Sequence, residues 1–227
     1  MSKRLEAILA HIPQDGRGVA DIGTDHGLLP AALFRRGYTG NLIAADIGAD
    51  PLSKAVRTAE AIGAEDRISC RLCDGLDGIA PDEVDVIVIA GMGGDTICGI
   101  LDRAEWCLSP DYMLILQPMT KCEILRYWLV NNGFMICSEE LVRDDRLYQI
   151  ITVRFGGSQR VNDAELFTGS AALIASDPLF PELLRRLLRR FESAVGGMRG
   201  AAEPELCARR GLYENILSEL KTMEDKT

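Results

Sequence analysis

The chain has 227 residues, 47% apolar and 26% charged, with a formal net charge of −9. That is enough for one sizeable domain and a small appendage. The acidity speaks against a generally adhesive nucleic-acid binder while leaving room for a local basic surface, and no apolar run reaches the roughly 18 residues that span a bilayer. Charge is uneven along the chain: residues 1–155 hold 15 basic and 23 acidic side chains, and residues 156–227 hold 10 and 11. The N-terminal Met1-Ser2-Lys3-Arg4-Leu5-Glu6 lacks the apolar core of a signal peptide. Seven cysteines, an odd number scattered through apolar segments, fit reduced and mostly buried thiols in a cytoplasmic protein.

Strand-like runs are expected at Gly18–Ile22, Asn41–Ala45, Arg67–Leu72, Val84–Ala90, Tyr112–Gln117, Phe134–Val142 and Leu147–Phe155. Val84–Ala90 is short, β-branched and apolar nearly throughout, as a strand covered on both faces should be. Helical stretches are expected between them at Leu29–Arg36, Pro51–Ile62, Asp95–Asp102 and Cys122–Asn131. Strand and helix in alternation imply a mostly parallel α/β sheet. The last two runs meet at Asp144-Asp145 without a helix, which predicts an antiparallel hairpin at the sheet edge. Beyond Phe155-Gly156-Gly157-Ser158 the pattern changes. Leu183, Leu184, Leu187, Leu188, Phe191 and Val195 recur at helical spacing, Gly196-Gly197 is expected to stop that helix, and Leu206, Tyr213, Ile216, Leu217 and Leu220 stripe a second one. The expected division is residues 1–157 and a helical, coiled-coil hairpin at 158–227.

Four segments at strand ends carry candidate chemistry. Asp21-Ile22-Gly23-Thr24-Asp25-His26-Gly27 lies between a strand and a helix, at the edge where open α/β sheets bind ligands. It lacks the G-x-G-x-x-G of dinucleotide enzymes. Asp21, Gly23 and Gly27 fit the acidic-x-Gly-x-Gly-x-Gly pattern of methyltransferases, with Asp25 in place of the middle glycine. Asp46 ends the second strand, followed by Ile47, where a carboxylate can accept from both hydroxyls of an adenosine ribose. Asp74-Gly75 follows the third strand and can accept from an adenine amino group. Ala90-Gly91-Met92-Gly93-Gly94 reads as a glycine-rich loop that opens the backbone to a close-lying group. Cys70-x-x-Cys73 has no second pair and only His11 and His26 to join it, so these read as buried strand-end thiols and no metal centre is expected.

Taken together, Ser2-Lys3-Arg4-Leu5, Asp21–His26 with Leu29-Pro30, Ala90–Gly94 and Leu116-Gln117-Pro118 resemble the bacterial tRNA (adenine-22-N1)-methyltransferases, as do Glu165–Gly169 and Asp177–Phe180. That family more often has Asn where this chain has Met119. The resemblance implies an α/β, Rossmann-like class I methyltransferase sheet with a C-terminal helical hairpin. It implies S-adenosylmethionine as cofactor and tRNA as partner, with methylation of adenine N1. Asp21, Gly23, Gly27, Asp46, Ile47, Asp74, Gly75, Gly91 and Met92 would hold the cofactor. Asp25, His26, Gly93, Gln117 and Pro118 would form the catalytic pocket, with Asp25 as the carboxylate facing the cationic product base. Tyr148 is a candidate stacking surface, although such a residue is more often a satisfied core or edge tyrosine. Lys3, Arg4 and the helical face Arg185, Arg186, Arg189 and Arg190 would contact RNA phosphates. Two other readings stand beside this one: a methyltransferase of a small-molecule or other RNA acceptor, and a non-catalytic adenosine-nucleotide-binding module. The residues leave the tRNA species and the oligomeric state open.

Overall fold

The computed structural model describes residues 1–200 and 203–226. The chain forms two compact units. One comprises Met1–Ser138 with Val142–Gln159, the other Glu139–Leu141 with Arg160–Thr227. The division falls two residues beyond the expected one, and three residues in the middle of the sixth strand group with the C-terminal unit.

The first unit is built on seven strands: β1 (Val19–Ile22), β2 (Leu42–Asp46), β3 (Ile68–Leu72), β4 (Val86–Gly93), β5 (Met113–Thr120), β6 (Phe134–Arg143) and β7 (Leu147–Phe155). Their order is β3-β2-β1-β4-β5-β7-β6. Strands β1 to β5 are parallel, and β7 runs antiparallel to β5. Asp144–Arg146 turns β6 into β7, with Asp144 N–H donating to the Arg146 carbonyl at 3.0 Å. The helices are α1 (Lys3–His11), α2 (Leu28–Arg35), α3 (Ala49–Ala61), α4 (Gly94–Asp102) and α5 (Cys122–Asn131). One face of the sheet packs Val19, Leu42, Val86, Val88 and Ile115 against α1 to α3, through Ile8, Leu9, Leu29, Leu33, Ala55 and Ala59. On the other face Ile87, Ile89, Leu114 and Leu116 are buried, as are Ile97 and Leu101 of α4 and Leu125 and Leu129 of α5. Covering on both faces is why β4 reads as an unbroken apolar run.

Three expectations need correction. Helix α1 was not expected, although Leu5, Ile8, Leu9 and Ile12 follow helical spacing and Ser2 caps the helix, its side chain accepting from Leu5 N–H at 3.2 Å. The glycine-rich segment is not a loop: β4 continues through Gly93, with register shifts at Ala90/Met92 and Met92/Gly93 against β5. Bulges of this kind re-aim a strand end while its ladder continues. Cys70 and Cys73 are only half-buried, because β3 is an edge strand; of the seven cysteines Cys98 and Cys107 alone are buried.

The bulged end of β4 leads directly into α4 at Gly94, which is buried against the Lys121 carbonyl. A Cβ at Gly94 would stand 2.2 Å from that oxygen. Gly94→Ala therefore requires a backbone shift at the ends of both β4 and β5. The expected cost is about 1–3 kcal/mol, read as a fall in Tm of roughly 2–12 °C.

The second unit contains α6 (Asp163–Thr168), α7 (Ala171–Ile174), α8 (Phe180–Gly197) and α9 (Pro204–Glu224). Helix α8 includes Gly196 and Gly197 rather than ending before them. Phe191 meets Tyr213 edge-on at 5.1 Å, and Phe180 shares a cavity with Met223 and Lys226, so α8 and α9 run antiparallel. Glu139 Oε2 accepts from Ser170 N–H at 2.6 Å and Asp177 Oδ2 from Leu141 N–H at 2.8 Å. These bonds explain why Glu139–Leu141 group with this unit.

Candidate cofactor and acceptor site

The strand order reverses between β1 and β4, since the chain leaves β1 toward β2 on one side and β4 lies on the other. A crevice at the carboxyl ends of these two strands is the expected ligand position in such a sheet. An open cavity with ≈ 610 Å³ of empty space lies there, lined by Ser2, Arg4, Asp21, Thr24, Asp25, His26 and Ala90 among others.

The β1–α2 turn shapes this cavity. Gly23 (φ 73°), Asp25 (φ 49°) and Gly27 (φ 65°) all have left-handed backbone, so three of five residues reverse the chain tightly. Gly23 and Thr24 N–H both donate to the Ala45 carbonyl, at 2.8 and 3.0 Å, which ties the turn to the end of β2. A Cβ at Gly23 would lie 2.2 Å from Met92 Cε. Met92 thus covers this glycine from β4.

Two carboxylates hold the crevice floor. Asp21 is 6% exposed, and its Oδ2 accepts from the Thr24 hydroxyl at 2.6 Å. Burial pushes its carboxyl up to about 6, against the opposing pull of Thr24 and with a smaller push from Asp46. Asp46 accepts from Gly48 N–H at 2.8 Å and from Asp25 N–H at 3.2 Å, so the acid ending β2 also anchors the Asp25 backbone. Ile47, the next residue, is 69% exposed, an apolar side chain presented at the strand end. Farther along the edge, Gly75 (φ 58°) turns the chain and Asp74 Oδ1 lies 2.9 Å from Arg103 Nη2.

At the rim, the Asp25 carboxylate lies 3.5 Å from His26 Nε2 and 3.7 Å from Lys54 Nζ, with all three side chains about half exposed. Gln117 is fully buried at the end of β5; its Oε1 accepts from Arg4 Nη1 at 2.9 Å and its Nε2 donates to the Pro118 carbonyl at 2.9 Å. A Cβ on Gly91 would come 3.7 Å from Arg4 Nη1. The structure therefore brings together Asp21, Gly23, Asp25 and His26 around the cavity, joins Gly91 and Gln117 to it through Arg4, and joins Asp46 to it through the Asp25 backbone.

Other expectations fare differently. Tyr148 is buried, and its ring is already engaged by Arg4 and Arg146, so it offers no open stacking face. Lys3 is exposed on α1, outside the cavity lining. In the second unit Arg185, Arg186 and Arg189 line one shallow cavity with Glu182, whereas Arg190 lies over Phe167 and Phe191 at 5.4 and 5.6 Å. Sequence reasoning missed Ser2, Thr24 and Lys54. The first two carried a signal, a helix cap and a hydroxyl three residues after a strand-end acid; the third arrives from a distant segment.

Comparison with known proteins accounts for this arrangement. Residues 1–151 match the methyltransferase domain family. The chain is 30% identical over 227 residues to the tRNA (adenine(22)-N(1))-methyltransferase of Bacillus subtilis, covering all of this chain and 90% of that protein. The crystal structure of the B. subtilis m1A22 tRNA methyltransferase superposes with a TM-score of 0.89 at 27% identity, covering 99% of this chain and 98% of that one. A putative tRNA (m1A22) methyltransferase of Streptococcus pneumoniae, solved in complex with S-adenosyl-L-methionine, gives 0.84 at 29% identity, covering 99% of each chain. This chain belongs to the tRNA (adenine(22)-N(1))-methyltransferase family, on a class I methyltransferase fold.

Proposed function

We propose that this protein is a cytoplasmic enzyme that transfers a methyl group from S-adenosylmethionine to N1 of adenine 22 in tRNA. The observation that carries the reading is the crevice itself. A buried carboxylate and a left-handed glycine turn line one cavity, the acid ending the next strand bonds to that turn, and an exposed apolar residue follows it, in a chain related over its full length to an enzyme of this activity. The residues present fit the cofactor. Asp21 offers its carboxylate to an ammonium group, and Gly23 and Gly27 let backbone come close. Asp46 offers acceptors to ribose hydroxyls and Ile47 an apolar face to adenine, while Asp74-Gly75 and Gly91-Met92 complete the edge.

S-adenosylmethionine supplies an electrophilic methyl, and as the N1–C bond forms and the S–C bond breaks the positive charge passes to the base. Adenine N1 has an in-plane lone pair and needs no prior deprotonation, so the protein's work is alignment and exclusion of water. The Asp25 carboxylate at the rim stabilises the developing cation or takes a proton from the exocyclic amine, with His26 beside it. Gly91 to Gly93, Gln117 and Pro118 wall the acceptor position. The target base leaves its stack to reach it. Lys3 and Arg4 serve the RNA from α1, and the arginine face of α8 from the second unit.

The test is methyl transfer from labelled S-adenosylmethionine to unmodified tRNA, with the nucleoside mapped by mass spectrometry. N1-methyladenosine at position 22 is expected; cofactor binding without transfer to any tRNA would overturn the RNA reading and favour a small-molecule acceptor. Replacing Arg185, Arg186 and Arg189 with Gln, and leaving Arg190 on its aromatic rings, is expected to weaken tRNA binding roughly tenfold at moderate salt. Unchanged binding would reduce these arginines to a solvated stripe.

A further inference from the structure

Arg146, on the β6–β7 turn, has no role in the site described above. Its guanidinium carbon lies 5.3 Å from the centroid of the Tyr148 ring, and that of Arg4 lies 5.2 Å from the same centroid. Arg146 Nε donates to the Tyr148 hydroxyl at 3.1 Å, and that hydroxyl donates to Asp145 Oδ1 at 2.6 Å. The other acid of the turn, Asp144, accepts from the Arg4 backbone N–H at 3.2 Å. Both acids are thus bonded to groups other than the two guanidiniums. Among the described residues neither guanidinium has a carboxylate oxygen within ion-pair distance.

Instead, three N–H donors converge on one sulfur. Met119 Sδ lies 3.7 Å from Arg4 Nη1, 3.8 Å from Arg146 Nη2 and 3.6 Å from Gln117 Nε2. A thioether is a weak acceptor, so these donors have capacity to spare. Two like charges held on one ring and one sulfur repel each other, and an anion placed between them relieves that repulsion with charge-assisted hydrogen bonds. Arg4 also lines the cavity, so Arg146, which shares its ring and its sulfur, stands behind the Arg4 side of that cavity.

We propose that Arg146 and Arg4 form a phosphate clamp at the acceptor end of the crevice, gripping the RNA backbone beside the target nucleotide, with Arg146 as its outer jaw. This rests on the tRNA reading. Tyr148 is a positioning residue: it stacks on both guanidiniums and fixes Arg146 through its hydroxyl. A carboxylate of the cofactor is the other anion that such a pair recognises, and the experiment separates the two.

Full-length protein and its Arg146→Gln, Arg146→Lys and Arg57→Gln variants are compared for tRNA binding across a salt series, for S-adenosylmethionine binding, and for steady-state methyl transfer. Arg57 is exposed on α3 and controls for loss of one charge. Arg146→Gln is expected to raise Kd and KM for tRNA about five- to tenfold. It should also flatten the slope of log Kd against log salt by about 0.7–0.9, the release of one phosphate contact, with cofactor affinity unchanged. Arg146→Lys restores the slope, and Arg57→Gln alters neither quantity. An unaltered slope in Arg146→Gln, or weakened cofactor binding with intact tRNA binding, overturns the clamp while wild-type methyl transfer leaves the proposed function standing. A wild-type protein that neither binds nor methylates tRNA removes both.

Discussion

Asp25→Asn is expected to lower kcat for methyl transfer by about 10²-fold, within the range removed with a general acid–base group, and to leave cofactor affinity within about threefold. Asp25 has left-handed backbone at φ 49°, at the position where the general methyltransferase pattern of the turn has its middle glycine. An aspartate there is strained relative to glycine, and nothing in the turn requires its charge: its backbone N–H, not its carboxylate, bonds to Asp46. The nearby Lys54 at 3.7 Å is half exposed, so that ion pair contributes little to stability. Under the proposed function the charge serves the acceptor base in front of it. Asn tolerates the same backbone, so Asp25→Asn removes charge and keeps the turn. Asp25→Gly restores the glycine pattern and should fold at least as well while being equally slow. Steady-state kinetics with tRNA, beside thermal unfolding, provides the check. Turnover above about a third of wild type in Asp25→Asn would remove the carboxylate from the mechanism.

The second large effect concerns Asp21, where stability and function should move in opposite directions. Its carboxyl titrates at about 6 in the folded chain against an ordinary value of 3.8. The native state thus holds a proton that the unfolded state has lost between these values, and stability falls as pH rises through that window. Above about pH 6 the ionised, buried carboxylate costs roughly 2–4 kcal/mol, at 1.36 kcal/mol for each unit. Asp21→Asn keeps an acceptor for the Thr24 hydroxyl and removes that cost. The cofactor-free variant should melt higher than wild type at pH 8, and the advantage should vanish near pH 4. Under the proposed function the same substitution deletes the partner of the cofactor's ammonium group, so S-adenosylmethionine affinity should fall at least tenfold. Wild-type affinity itself should weaken as pH drops through about 6. Calorimetric titration from pH 5 to 8 and melting curves of both proteins test this. Equal cofactor affinity in the two would detach Asp21 from the ligand.

Local pattern made much of the sheet readable. Strands β2, β1, β4 and β5 are interior, and each announces itself as a short apolar run because helices cover both faces; β6 and β7 announce themselves by the turn between them. Helix α1 leaves the same kind of signal, apolar residues at helical spacing behind a serine cap, but the stronger strand–helix alternation overshadows it. The glycine-rich segment does mark close approach, but as a bulged strand end rather than a loop, and at Gly94 the approaching group is the Lys121 carbonyl rather than a ligand. Tyr148 carries two readings in sequence, an open platform and a satisfied core tyrosine, and its neighbours Arg4 and Arg146 decide for the second. Arg146 gave no sign at all, being one more charged residue in a turn.

Composition and periodicity by themselves determined the α/β class, the strand-end placement of Asp21, Asp46 and Asp74, and the two striped helices of the C-terminal segment, because each depends on residues close in the chain. Tertiary structure alone decided which of those ends share a crevice, since only the strand order β2-β1-β4-β5 brings Asp46, Asp21, Gly91 and Gln117 side by side. It also decided that Arg4 of α1 and Arg146 of the β6–β7 turn meet over Tyr148 and Met119. Pairings between segments more than a hundred residues apart are set by the packing of whole elements, and no local run of residues encodes them.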